Sequence, residues 1–228
     1  MKVYFLAQGL MLLFFCTMAG GQTNRAGDYY ASLTHTTFRN GKAFHDTIDM
    51  AAPDLLRMQA VLFFLTNEIR ARQKLPLVTY ASKLSSTAQM HARDMVEQHY
   101  FSHINSRDKT KKTPNDRAKT NGISNPFLAE NIIEGYGLQY KTKSTVYLRG
   151  KGKFSYSPAG EILKAHTYLS LGEDLMDRWM HSKDHRRNIL ATEAIQLGCG
   201  IFFYNDPDFN FMPTCIAVQN FQWHQPVR

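Results

Sequence analysis

Cysteine is scarce in this 228-residue chain: only Cys16, Cys199 and Cys215 occur. The last two read best as a bridged pair, so a Cys/His catalytic scheme has no attacker. There is no Gly-x-Ser-x-Gly elbow to expose a serine nucleophile, and no phosphate-cradling glycine loop, since Gly150 and Gly152 fall in a basic stretch. Internal repeats and usable low-complexity tracts are absent. Acids are outnumbered, 19 Asp and Glu against 27 Lys and Arg, for a formal net charge of +8. These absences argue against collagen-like, coiled-coil, disordered and polytopic membrane chains. What remains, 43% hydrophobic and 20% charged, suits one compact domain, or at most two small ones, with room for a real core.

The first 21 residues read as a leader rather than as part of the fold. Lys2 supplies a short positive start, Phe5 to Phe15 is mostly apolar, and Ala19-Gly20-Gly21 offers the small residues of a cleavage site. Export and cleavage after Gly21 are predicted. A membrane anchor is the weaker reading, because Gln8 and Gly9 interrupt a run shorter than the roughly 20 residues of a spanning helix. Phe15 before Cys16 argues against lipidation, and with the leader removed no transmembrane helix is expected in the mature chain.

The positive excess is concentrated. Between Arg107 and Lys153 lie eleven basic residues and four acids. Two solvated loops are the simpler reading; a docking face for anionic lipid or a cell-wall polymer is the alternative. No nucleic-acid motif or stacking aromatic array accompanies the charge, so nucleic acid is not an expected partner.

Two runs of strand character surround the remaining cysteines, Gly198 to Tyr204 and Phe211 to Val218, with the turn-rich Asn205-Asp206-Pro207-Asp208 between them. In an antiparallel hairpin centred on residue 207, Cys199 and Cys215 face each other. A bridge there would stabilise by about 3 kcal/mol in the chain-entropy model. Two buried free thiols are the alternative, disfavoured by an oxidising compartment.

Gln22 to Met50 lacks a period and reads as an extended N-terminal arm, the boundary falling at residue 52. From Asp54, Leu55, Met58, Leu62, Leu65 and Ile69 recur at helical steps to about Lys74. Leu84, Ala88, His91 and Met95 repeat the spacing over Ser82 to Gln98, a stripe read as core. A charged loop with a short helix to Asn121 follows, then an apolar strand around Leu128 to Ile133 that carries Glu130. Ser144 to Ser157 alternates like a surface hairpin, an insertion near residues 138–160. Helix formers dominate Glu161 to Ser182, and His185 to Leu190 closes that unit.

Three ionisable positions stand out: His103 and His185 at helix ends, and Glu130 inside the apolar strand. Each histidine alone is read more simply as a cap. Glu130 is not, because burying a carboxylate costs several kcal/mol unless something partners it. Taken in order, Phe101-Ser102-His103, Ala129-Glu130-Asn131-Ile132 and Trp179-Met180-His181-Ser182-Lys183-Asp184-His185-Arg186-Arg187-Asn188-Ile189-Leu190 resemble the CAP superfamily in its bacterial, SCP-like form. The resemblance spans roughly residues 54–223 and implies an α+β fold, a three-layer α-β-α sandwich, over residues 53–228.

Carried over by position, the resemblance makes His103, Glu130 and His185 the candidate catalytic or cleft residues, and the same three the candidate ligands of Zn²⁺. The fourth, acidic member of the family's cleft is missing; His181 and Ser182 stand near its place, and His181 either joins the site or points to solvent. The function implied is an exported binding domain, periplasmic or extracellular, for an extracellular or envelope ligand such as a lipid, glycan or protein. The alternative is a Zn-dependent hydrolase in which Glu130 orients or deprotonates the bound water.

Overall fold

A computed structural model describes residues 26–228. The leader and cleavage site expected from the sequence, and Cys16, lie outside the described residues. Six α-helices and six strands follow: α1 Ala26–Ser32, α2 Leu55–Arg72, β1 Thr79–Tyr80, α3 Ser82–Glu97, α4 Pro114–Thr120 and β2 Leu128–Tyr136. Next come β3 Tyr147–Gly150, β4 Lys153–Ser155, α5 Tyr168–His181, α6 Lys183–Leu190, β5 Ala194–Asp206 and β6 Met212–Trp223. Four strands form one sheet in the order β1-β5-β6-β2, parallel only between β1 and β5. No described helix is long and apolar enough to cross a membrane.

Alternation along the strands sends side chains to two cores. Ile133, Cys199, Ile201, Cys215, Ala217 and Phe221 face α2 and α5, where Leu62, Leu65, Leu171, Leu175 and Trp179 are buried. Ile132, Ile216 and Val218 face the other way, against Ala88, Ala92 and Met95 of α3. Helix, sheet and helix thus make the three layers expected. On the α3 side the helix backbone lies directly on β5. A Cβ on Gly198 or Gly200 would fall inside van der Waals contact of Leu84 and Ser85, or of Ala88 and Gln89.

The helix starts follow local chemistry. Asp54 accepts from Arg57 N at 3.0 Å to cap α2, and Thr113 and Asp116 form a capping box on α4 with Pro114 in its first turn. A second box, Thr167 with Ser170, starts α5 at Tyr168. The helix predicted from Glu161 therefore begins seven residues late. Residues before it are extended instead: Leu163 N bonds Phe154 O and His166 N bonds Gly137 O, which ties them to the inserted hairpin and to the end of β2.

The segment expected as an extended arm is folded over its described part, residues 26–52. After α1, short 3₁₀ turns at Phe38–Asn40 and Lys42–His45 bury Phe38 and Phe44, and Ile48 follows them into the main core. Each apolar side chain is buried singly by a turn, so no period announces it. The inserted hairpin does form, as β3 and β4.

The predicted bridge is corrected: Cys199 and Cys215 are free, buried thiols. The register pairs Cys199 with Gln219 and Phe203 with Cys215. β5 stays extended through Asp206, and the chain turns with Asn210 and Phe211 in left-handed conformations. Asp206 O accepts from Phe211 N at 2.7 Å. The turn is centred two residues beyond the expected point, so each partner shifts by four. The thiols share a face but stand about 13 Å apart along the strands, beyond the reach of a disulfide.

Candidate functional site

Strand β2 is the sheet edge on which the site is built. Glu130 points to the α3 side and Asn131 to the opposite side, so two adjacent residues hold the two halves. The edge carbonyls are covered by side chains: Asn188 Nδ2 donates to Glu130 O at 3.4 Å and Arg178 to Glu134 O at 2.7 Å.

Glu130 is buried, its side chain 1% exposed, yet it is ionised and fully partnered. Arg117, also wholly buried, donates through Nη2 to Oε1 at 2.9 Å and Oε2 at 2.8 Å. His103 Nδ1 donates to Oε1 at 2.9 Å. Asn220, with its amide nitrogen toward the acid, donates to Oε2 at 3.1 Å. Burial alone would raise this carboxyl's pKa. The His103 hydrogen bond, followed by the charges of His91 and Arg117, outweighs it and holds the group below the usual carboxylate range.

Arg117 joins the two sides of this pair. Besides the carboxylate, it donates to the backbone oxygen of His103 at 3.1 and 3.2 Å and to Lys111 O at 3.1 Å. One guanidinium thus fixes the acid and the loop whose imidazole lies over it. Asn115 Oδ1 accepts from Leu128 N at 3.0 Å, binding α4 to the start of β2. In the sequence Arg117 is one of the basic loop residues; nothing in that run marks the one arginine that turns inward, although a buried Glu130 demands a cation.

His91 is the other residue that sequence reasoning missed. Placed on the core stripe of α3, it is fully buried beneath the site. Its Nε2 lies 3.6 Å from Glu130 Oε1 and has no hydrogen-bond partner, while Nδ1 meets Tyr100 Oη at 3.3 Å. Burial, reinforced by Arg117 and His103 against the opposing pull of Glu130, lowers its pKa to about 4.

His185 belongs to α6, the second wall. Asn131 Nδ2 donates to His185 O at 3.2 Å, and Asn188 Nδ2 donates to Asn131 Oδ1 at 2.9 Å. Buried Arg70 closes the far end of α6 by donating to Ile189 O and Ala191 O, each at 2.8 Å. The His185 pKa is lowered by burial and, to a smaller extent, by the charge of His103. His181 is exposed and satisfied on its own helix, its Nδ1 bonding Asp177 O at 2.8 Å.

His103 and Glu130 meet directly, and His185 stands on α6, the helix that Asn131 and Asn188 tie to β2; the three do not form a three-ligand metal shell. Among the described residues no group of three or more His, Cys, Asp or Glu is arranged to hold a metal. The reason lies in Glu130, whose oxygens face Arg117, His103 and Asn220; a cation there would stand against a guanidinium. Glu130 fits instead as the partner that orients His103 from behind. In a neutral His103 ring, the Nδ1 proton on the acid leaves Nε2 as an outward lone pair. His103 and His185 are both partly exposed, one on each side of β2.

An edge-strand carboxylate anchored by arginine beneath one imidazole, with a second imidazole on the facing helix, all on an α-β-α sandwich, defines an SCP-like domain. The profile of the cysteine-rich secretory protein family, CAP, matches residues 63–221. The chain belongs to that family. It is 29% identical over 136 residues to the uncharacterized protein YkwD of Bacillus subtilis (strain 168), covering 60% of this chain and 39% of that one. The chain thus spans well under half of that relative. Among solved structures it is similar to an extracellular SCP-domain protein of Bacillus anthracis str. Ames, at 24% identity and a TM-score of 0.48, over 75% of this chain and 41% of that one. It is also similar to an outer surface protein of Borrelia burgdorferi, at 13% identity and a TM-score of 0.45, over 79% of this chain and 99% of that one.

Proposed function

We propose that this is an exported binding domain that holds an extracellular or envelope ligand, a lipid, glycan or protein, between His103 and His185. One observation carries the reading: the only buried acid of the site is spent on positioning. Glu130 accepts from Arg117, His103 and Asn220 and has no free lone pair for chemistry. On this reading the two partly exposed imidazoles, His103 and His185, supply the ring nitrogens that accept hydrogen bonds from a ligand's hydroxyl or amine groups.

The same nitrogens suit a metal ion. His103 and His185 would hold Zn²⁺, and Glu130 would act on His103 from the far side of its ring. When bound, the ion would supply Lewis acidity and a water of lowered pKa. In the hydrolase alternative, Glu130 is a poor base, since its lowered pKa and its guanidinium partner both oppose taking a proton.

Native mass spectrometry of the protein from its own host, compared with His103→Ala, tests this reading. The expected result is a retained small-molecule adduct that disappears in the variant while the melting temperature stays nearly unchanged, because Arg117 and Asn220 still hold Glu130. An adduct that survives the substitution, or no adduct in the parent protein, would sink the binding reading. Zinc lost in the variant, together with assignable turnover, would favour the hydrolase.

A further inference from the structure

The inserted hairpin offers a second surface, unconnected with the histidine cleft. Tyr136, where the insertion leaves β2, is six residues or about 20 Å along the strand from Glu130. Residues 138–164 hold six basic side chains, Lys141, Lys143, Arg149, Lys151, Lys153 and Lys164, against one acid, Glu161. None of the six forms an ion pair among the described residues, whereas Lys111 and Arg117 of the preceding basic loop pair with Asp94 and Glu130.

Positive charge alone would describe a solvated loop. The insertion also carries exposed apolar side chains: Tyr147, Leu148, Tyr156 and Ile162 are four of the ten large hydrophobics exposed among the described residues. A fifth, Phe211 of the neighbouring turn, has Lys151 Nζ 3.8 Å from its ring centre. These groups are not collapsed onto the body, although apolar side chains in water ordinarily are.

The hairpin that presents them is firmly mounted. Phe154 is buried against Leu138 and Met212. Gly152 N bonds Asn210 O at 2.9 Å. Tyr156 Oη accepts from Lys141 N at 2.7 Å and donates to Gln139 O at 3.3 Å, so its ring stays exposed while its hydroxyl is satisfied. Arg149 Nη1 donates to Gly160 O at 2.9 Å, closing the following loop.

We propose that this hairpin docks the protein on an anionic lipid bilayer. Lysines on flexible stems suit a field of lipid phosphates, tyrosine rings suit the headgroup layer, and Leu148 and Ile162 gain by entering the acyl boundary. A water-soluble polyanion would satisfy the lysines but give the two aliphatic side chains nothing, and this decides between the two partners.

Co-sedimentation of the protein, purified from its own host, with phosphatidylcholine vesicles and with phosphatidylcholine mixed with phosphatidylglycerol tests it. Binding to the mixed vesicles alone, falling steeply with salt, is expected. Reversing Lys141, Lys143, Lys151 and Lys153 to Glu should weaken partition by at least about tenfold. Leu148→Ser with Ile162→Ser should weaken it severalfold, and unchanged melting temperatures would show that both variants fold. Absence of binding to the mixed vesicles at low salt overturns the proposal. So does binding that ignores the Leu148 and Ile162 substitutions and is fully displaced by soluble polyphosphate, since that would mark a polyanion site.

Discussion

Glu130 meets the cost of burying a carboxylate with donors of three kinds, a guanidinium, an imidazole and an amide, and what is left over falls on His91. That ring is packed where charging it is opposed by burial and by Arg117, and its pKa drops from the ordinary 6.5 to about 4. The unfolded chain therefore takes up a proton over this range that the folded chain refuses. Stability should fall as pH drops from about 6.5 toward 4, by about 3 kcal/mol at full extent, and His185, also lowered, acts in the same direction. Glu130 adds a loss that begins as pH falls toward the ordinary carboxyl value of 4.5 and continues down through its depressed native value, so it overlaps the His91 range only at its acid end. Denaturant midpoints measured from pH 7 to pH 4 on the parent and on His91→Gln check the assignment. The variant should show a shallower decline; parallel declines would remove His91 as the cause. In the sequence, His91 fits a core stripe as well as any apolar residue, and only its distance to Glu130 shows what it does. His103 and Glu130, by contrast, lie in short strings whose order is readable, and they meet at 2.9 Å.

At the scale of elements, what the sequence revealed was periodicity. Leu55 to Ile69 and Leu84 to Met95 mark two helices within two residues of their observed ends, and the apolar run around Glu130 marks β2. What it concealed was anything decided by a single long-range contact. Phe38 and Phe44 bury one at a time, Thr167 rather than Glu161 caps α5, and the β5 to β6 turn is set by left-handed Asn210 and Phe211. The closeness of α3 to the sheet was equally hidden, since Gly198 and Gly200 read as ordinary strand glycines. Gly200→Ala should force α3 off β5 and cost about 3 kcal/mol or more, in line with overpacking against rigid backbone. The expected readout is a lowered denaturant midpoint. A variant as stable as the parent would mean that α3 can shift without loss. Because α3 carries His91 and leads into the His103 loop, the same substitution should weaken any ligand retained at the cleft.

For the molecule as a whole, the consequence of the register is that no staple closes the hairpin. The fold is held by the cores on either side of the sheet, in which Cys199 and Cys215 serve as small apolar side chains. Burial pushes both thiols up, Cys215 to about 12, so neither is a ready thiolate. Export to an oxidising compartment would then leave them reduced for a geometric reason, since about four residues of strand separate two sulfurs that share one face. The melting temperature should therefore be the same with and without reductant, and a thiol reagent added under denaturing, non-reducing conditions should label both cysteines. Peptide mapping that recovers Cys199 linked to Cys215 would require the two strands to slide by four residues. Either β5 would then move under α3, taking Gly198 and Gly200 from the helix backbone they lie against, or β6 would move with β2 and carry Glu130 away from His91. The observed packing of α3 and the disulfide could not both belong to one structure.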